Sequence, residues 1–218
     1  MDARSEQEAI RPRLILTTPI IEDAAAFAPS LAAACGAADV AGVVLRLKTA
    51  GDAELLEKIR ALAPGVHRVG AALILEDLVQ LVNTVNADGA HITKSDALAA
   101  ARGALKGDHI LGAGRLESRH DAMTAGESGA DYVLFGEPDA NGRRPTMPSL
   151  TERVTWWAEV FIIPCVAYAA HIDEIAPLVR AGADFIALGD EVIWGTAEDP
   201  AAALAAASVY LGVAERVS

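Results

Sequence analysis

The apolar residues of this chain fall in short unbroken runs, and four of those runs follow the same step. The steps are Ala37-Ala38-Asp39 before Val40–Leu45, Asn86-Ala87-Asp88 before Gly89–Ile92, Gly129-Ala130-Asp131 before Tyr132–Phe135, and Gly182-Ala183-Asp184 before Phe185–Leu188. Their aspartates stand 49, 43 and 53 positions apart, a period that holds two strands and two helices. A small residue ends the preceding helix and Asp turns the chain into the strand. A strand that is apolar throughout, without alternation, is buried on both faces, as in a parallel sheet. Four double units make eight strands, which predicts a single-domain (β/α)8 barrel of the TIM class over residues 1–218, with residues 1–12 as an N-terminal extension.

The pattern places strands at Arg13–Thr18, Ala41–Leu47, His67–Ile74, Gly89–Ile92, His109–Gly112, Asp131–Phe135, Phe161–Val166 and Asp184–Leu188. Helices are predicted at Glu22–Ala34, Asp52–Leu62 (stopped by Pro64-Gly65), Glu76–Val85, Ser95–Leu105 with Ser95 as N-cap, Glu117–Glu127, Ile172–Arg180 and Pro200–Ala214. The longest break, Gly136–Ser149, carries Pro138, Asn141-Gly142, Pro145 and Pro148 and reads as a mobile loop at the mouth after strand 6.

Composition narrows the chemistry. The chain is 52% hydrophobic with a net charge of −12, which argues against nucleic acid or an anionic membrane as partner. It also means that an anionic substrate must be met by local cations or a metal ion. No run is long enough to span a membrane, and the polar N-terminus carries no signal-peptide pattern. Two cysteines without a spacing motif, Cys35 and Cys165, point to a reducing cytoplasm and to buried thiols rather than a disulfide or a nucleophile.

Working residues of such a barrel lie where strands end. Arg46 and Lys48 end strand 2, two apart and so on one face; Glu76-Asp77 follow strand 3; His91, Thr93, Lys94 and Asp96 end or follow strand 4. Arg115 follows strand 5, Glu137, Asp139, Arg143 and Arg144 follow strand 6, Tyr168 and His171 strand 7, and Asp190-Glu191 strand 8. Two cations beside several carboxylates suit a phosphate bound through Mg²⁺. They equally suit a solvated rim whose charges pair with one another.

Several words in these positions resemble the thiamine phosphate synthase family across roughly residues 13–195. Val44-Leu45-Arg46-Leu47-Lys48 keeps the Arg and Lys of the family's strand-2 word but not its Gln. Glu76-Asp77 stands for Asn-Asp, and Asp88-Gly89-Ala90-His91-Ile92-Thr93-Lys94-Ser95-Asp96 resembles the strand-4 word. Gly129-Ala130-Asp131-Tyr132 is unchanged. The resemblance implies a barrel that joins hydroxymethylpyrimidine pyrophosphate to thiazole phosphate with release of pyrophosphate. It implies Mg²⁺ on Asp77 and Asp96, and Arg46 and Lys48 as catalytic cations on the leaving group. Small phosphorylated substrates would be bound by His91, Lys94, Arg115, Arg143, Ala169, Ala170 and Gly189. Three words depart: Gly114 replaces the Ser after strand 5, Asp139–Arg144 replaces a Thr-x-Thr-Lys loop, and Ala169-Ala170 replaces the Gly-Gly after strand 7. A cradle of backbone N–H groups for phosphate is narrowed by two β-carbons and by the neighbouring Asp190-Glu191.

Three readings stay open at this point. One is a divergent synthase. Another is a barrel that has lost that activity and binds or isomerises a different small phosphorylated ligand. The third is an interaction protein, for which the acidic surface and Trp156-Trp157 speak. One Trp of that pair is expected between helix and barrel and the other in a subunit interface, which would make the chain a homo-oligomer.

Overall fold

Eight strands buried on both faces can hide their edges only by closing on themselves. In the computed structural model, which describes residues 12–139, 141–195 and 199–214, they do so. The strands are β1 (Arg13–Ile21), β2 (Val40–Leu47), β3 (Ala72–Glu76), β4 (Gly89–Ile92), β5 (Ile110–Ala113), β6 (Tyr132–Phe135), β7 (Cys165–Ala169) and β8 (Phe185–Leu188). All neighbours are parallel, and β1 pairs with β8. Around them lie α1 (Ala24–Cys35), α2 (Asp52–His67), α3 (Val82–Val85), α4 (Leu98–Ala104), α5 (Arg119–Glu127), α6 (Met147–Val160), α7 (Ile175–Arg180) and α8 (Pro200–Ala214). No described helix is long and apolar enough to cross a membrane. The expected extension over residues 1–12 lies almost wholly outside the described residues.

The repeated aspartates do more than turn the chain. Asp88 N–H donates to the Leu73 carbonyl at 2.8 Å while its Oδ2 accepts from Leu73 N–H at 2.7 Å. Asp131 does the same with Leu111 (2.7 and 2.8 Å), and Asp184 with Cys165 (3.0 and 2.8 Å). Each carboxylate thus splices an even strand to the odd strand before it, at the end opposite the mouth. Asp39 instead forms an exposed pair with Arg13, Nη2 to Oδ1 2.7 Å.

Several boundaries differ from the sequence expectation. Helix α2 runs through Pro64-Gly65 to His67, so β3 starts at Ala72. Pro64 lacks one N–H, but Val66 is buried, and a Cβ on Gly65 would lie 3.0 Å from Ala32 of α1, so close packing holds the last turn. The segment after β3 is only a 3₁₀ turn, Val79–Leu81, leading into α3, and Glu76 stays in the strand. Ser95 caps nothing: a 3₁₀ turn, Ser95–Ala97, precedes α4, and neither start has a side-chain cap. Helix α5 begins at Arg119 rather than Glu117, with Ser118 as N-cap in a capping box with Asp121. Strand β7 begins at Cys165 because Phe161 packs face to face on Trp157, ring centroids 4.1 Å apart, and Pro164 interrupts the entry. An unforeseen π-helical turn, Asp190–Trp194, follows β8.

Two apolar layers result. The outer one lies between barrel and helices and contains fully buried Trp157, whose Nε1 donates to the Ile163 carbonyl at 2.7 Å. The inner one fills the barrel and includes Ile15, Val44, Ile74, Tyr132, Val166 and Tyr168. Both cysteines are buried; burial pushes the Cys35 thiol up to about 11 and Cys165 to about 12, so neither is a ready nucleophile.

Candidate functional site

The mouth holds two adjoining chambers that share Ile20, Arg46 and Glu76. Arg46 is set by β2, its N–H donating to Thr18 Oγ1 at 2.9 Å, and its Nε lies 3.3 Å from Glu76 Oε2. Lys48, two residues on, pairs at 2.8 Å with Glu22 at the rim. Both cations line the larger chamber, of about 920 Å³, with Asp77. The charges therefore pair with rim and wall carboxylates while still facing a cavity.

Asp77 sits in the left-handed region, φ 52°, where a non-glycine residue needs local support. That support is mutual: Asp77 N–H donates to the His91 carbonyl at 2.9 Å, and its carboxylate accepts from Thr93 N–H at 3.0 Å and from the Thr93 hydroxyl. Asp96 is exposed on the turn after β4, beside exposed Lys94. Among the described residues, no group of three or more His, Cys, Asp or Glu side chains is placed to hold a metal ion.

The smaller chamber, of about 440 Å³, lies over the barrel axis. Its lining carries two cations, Arg46 and Arg115, against five carboxylates: Glu76, Glu137, Asp139, Asp190 and Glu191. Arg115 is also left-handed, φ 51°; its N–H donates to Glu137 Oε2 at 2.7 Å and its guanidinium lies 3.8 Å from Glu76. Below Glu137 is His91, fully buried, with Nδ1 2.9 Å from Tyr132 Oη and Nε2 3.5 Å from Glu137 Oε1. Burial, the largest single influence, would lower the His91 pKa, but the negative charges of Glu137, Glu76 and Asp77 together outweigh it and the net shift is upward. For Glu137, burial pushes up while His91 and the Arg115 N–H pull down, and the net shift is downward. Two glycines make this arrangement possible. A Cβ on Gly112 would overlap the Tyr132 ring, and one on Gly114 would overlap His91 Nε2 and Glu137 Oε2.

Around β7 and β8 the backbone is already engaged. Ala170 N–H donates to Glu174 Oε2 at 2.8 Å, and Arg144 Nη2 lies 3.1 Å from the same oxygen. Arg144 also donates to the Gly136 and Tyr168 carbonyls, each at 2.9 Å, which ties the loop after β6 to β7 rather than leaving it loose. Tyr168 hydrogen-bonds Glu191 through its hydroxyl and lies where a Cβ on Gly189 would be. Asp190 is shifted up by burial, against the pull of Arg46. Arg143 is exposed and paired at 2.8 Å with Asp139. His171 makes no capping bond.

The structure thus gathers Arg46, Lys48 and Asp77 at one chamber and Arg115 at the other. It buries His91, Ala169 and Ala170 in the walls and leaves Lys94, Asp96 and Arg143 at the exposed rim. Sequence reasoning missed Thr17, Tyr132 and Glu174. Thr17 Oγ1 and His91 Nε2 are the buried side-chain atoms without a hydrogen-bond partner among the described residues, and Thr17 lines the smaller chamber. Gly112 and Gly114 were the available signal for Tyr132 and Glu137, since a glycine at a strand end marks close approach.

A family model described as "Thiamine monophosphate synthase" matches residues 14–192. The thiamine-phosphate synthase of Rhodospirillum centenum is 44% identical over 196 residues, covering 88% of this chain and 94% of that one. That of Hyphomonas neptunium is 37% identical over 206 residues, with 90% and 93% covered. Among solved structures, a thiamine phosphate pyrophosphorylase from Pyrococcus furiosus superposes with a TM-score of 0.78 at 22% identity, covering 94% of this chain and 98% of that one, a likeness of fold.

Proposed function

The chain belongs to the thiamine monophosphate synthase family, and from that premise we propose that its mouth joins hydroxymethylpyrimidine pyrophosphate to thiazole phosphate, releasing pyrophosphate. The observation that carries this reading is the pair of chambers meeting at Arg46 and Glu76: one substrate can lie across the divide with its pyrophosphate in the cavity of Arg46 and Lys48. Those cations take up charge as the pyrophosphate departs, an interaction that strengthens in the transition state. The thiazole nitrogen supplies the electron pair, so no protein nucleophile is needed. Neither buried thiol competes for that part.

The donor set at the rim suits Mg²⁺. Asp77 and Asp96 offer hard carboxylate oxygens, and this ion keeps several waters while taking one or two carboxylates and substrate phosphate oxygens. Held there, it would offset the charge of the pyrophosphate. Lys94, Arg115 and Arg143 are the remaining cations from which the phosphate of the second substrate can draw, with the backbone at Ala169, Ala170 and Gly189 as the cradle. The test is chromatographic detection of thiamine phosphate from the two substrates, with and without Mg²⁺. We expect Mg²⁺-dependent product, reduced about 100-fold or more by Arg46→Ala, the loss of one positioned charge contact of ~2.7 kcal/mol. Absence of product from folded parent protein would sink the reading.

One observation favours the second reading, a barrel turned to another small phosphorylated ligand. The cradle after β7 is occupied from within, since Ala170 N–H is taken by Glu174. Isothermal titration with inorganic phosphate, in competition with each thiamine precursor, separates the two: binding that neither precursor displaces favours the second.

A further inference from the structure

Arg46 and Glu76 line both cavities. The larger sets Arg46 and Lys48 against Glu22, Asp52, Glu76 and Asp77; the smaller sets Arg46 and Arg115 against five carboxylates, Glu137 among them. The proposed reaction separates charge between a pyrophosphate leaving toward Arg46 and Lys48 and the ring it leaves in the smaller chamber. The bond between the pyrimidine methylene carbon and the pyrophosphate oxygen breaks, and its electron pair leaves with the oxygen. The thiazole nitrogen then gives its lone pair to that carbon, no proton moves, and the product is a thiazolium cation. Positive charge therefore grows on the ring side while negative charge collects on the pyrophosphate. A carboxylate fixed on the ring side, in a site shielded from water, stabilises that change without reorganising.

Of the carboxylates there, Glu137 is the one most firmly fixed. Its side chain is only 8% exposed, one oxygen takes the Arg115 N–H at 2.7 Å, and the other faces the His91 ring at 3.5 Å. His91 is itself fully buried and held by Tyr132, so it reaches the chamber only through Glu137. Gly114, where the family word has Ser, leaves the room that the pair occupies. We propose that Glu137 is a further catalytic residue of this barrel, its carboxylate facing the pyrimidine methylene carbon and stabilising the positive charge that grows there, with His91 as its positioning residue. The proposal rests on the synthase reading and names a group that the resemblance does not.

The test compares parent, Glu137→Gln, His91→Gln and His91→Ala in saturating Mg²⁺ with both substrates. Glu137→Gln keeps the shape and the bond from Arg115 N–H while removing the charge. Its kcat should fall about 30- to 100-fold, with KM for the pyrimidine substrate within about threefold. His91→Ala should lose a similar factor in kcat, and His91→Gln, which keeps a polar N–H group facing Glu137, should recover most of it; equal losses in both would overturn the positioning role. Gly114→Ser should lower the melting temperature by crowding both members of the pair, a readout independent of activity; an unchanged melting temperature would overturn the close seating of His91 against Glu137. Product from the parent with Glu137→Gln within threefold of its kcat overturns the proposal alone. No product from the parent overturns the synthase reading and the proposal together.

Discussion

The carboxylate of Glu174 accepts from the Ala170 N–H through Oε2 and from the Arg144 guanidinium through both oxygens, joining the loop after β6 to the end of β7. Removing it strands a partly buried N–H and a cation, so Glu174→Ala should cost ~1–3 kcal/mol by urea unfolding. Its pH dependence has a definite sign. Burial raises the Glu174 pKa, but Arg144 and the Ala170 N–H outweigh it and hold the group below the usual carboxylate range. A folded-state value below the unfolded one, near ~4.3, gives stabilisation that is complete above that pH and lost as pH falls through the folded value. The stability gap between parent and Glu174→Gln should therefore be constant above about pH 5 and narrow as the pH falls below ~4.3; a gap that stays constant on acidification would contradict this account. The same contact bears on the two alanines. Replacing Ala169 and Ala170 by glycine leaves the N–H engaged, so KM for thiazole phosphate should stay within about threefold of the parent, short of the tenfold that ~1.4 kcal/mol would give. The alanines were visible in the sequence. The carboxylate that fills their cradle was not, because its reach depends on the turn Ile172–Glu174.

At the scale of elements, the Asp steps were the clearest word in the chain, and their structural role exceeds the turn they announced. Asp88, Asp131 and Asp184 each close a reciprocal pair of bonds with the preceding strand, whereas Asp39 only meets Arg13 in solvent. Substitution should separate the two kinds. Asp131→Ala, which leaves Leu111 N–H without its acceptor and Arg102 without its 3.0 Å partner, should cost ~1–3 kcal/mol. Asp39→Ala should cost ~1 kcal/mol or less, as exposed ion pairs do. Equal losses in thermal unfolding would refute the splice. Strand number and direction were legible here because an unbroken apolar run admits few environments. Element ends were less so: α2 passes Pro64 because helix packing at Gly65 overrides a local stop, and β7 starts late because Phe161 finds a partner in Trp157.

For the molecule as a whole, closure joins the first strand to the last, and α8 completes the ring beside α1 and α7. Leu204 of α8 is fully buried, so Leu204→Ala should lower the stability of the whole barrel by ~2–5 kcal/mol, seen as one shifted transition rather than early loss of a terminal helix. The net charge of −12 acts at the same scale. An anionic substrate is repelled until it reaches Arg46 and Lys48, and the screening length falls from ~30 Å at 0.01 M salt to ~8 Å at 0.15 M. With Mg²⁺ held fixed, kcat/KM for the pyrimidine substrate should rise about twofold across that range; a steep fall would show that local cations dominate the approach.

Periodicity alone determined eight strands, their parallel direction and the end at which chemistry gathers, since burial on both faces is a property of each segment by itself. The words at the end of strand 2, along strand 4 and at the start of strand 6 carried the resemblance for a similar reason: each is local and unbroken. Only the tertiary structure decided which charges meet. Glu137, His91 and Gly114 follow or end three different strands, and their contact exists because the closed barrel turns those ends toward one axis. The same closure aims Tyr168 across Gly189 and sets Glu174 against Arg144 of the loop after β6. A residue's type and its strand are written in the chain; its partner across the mouth depends on loop conformations that long-range packing selects.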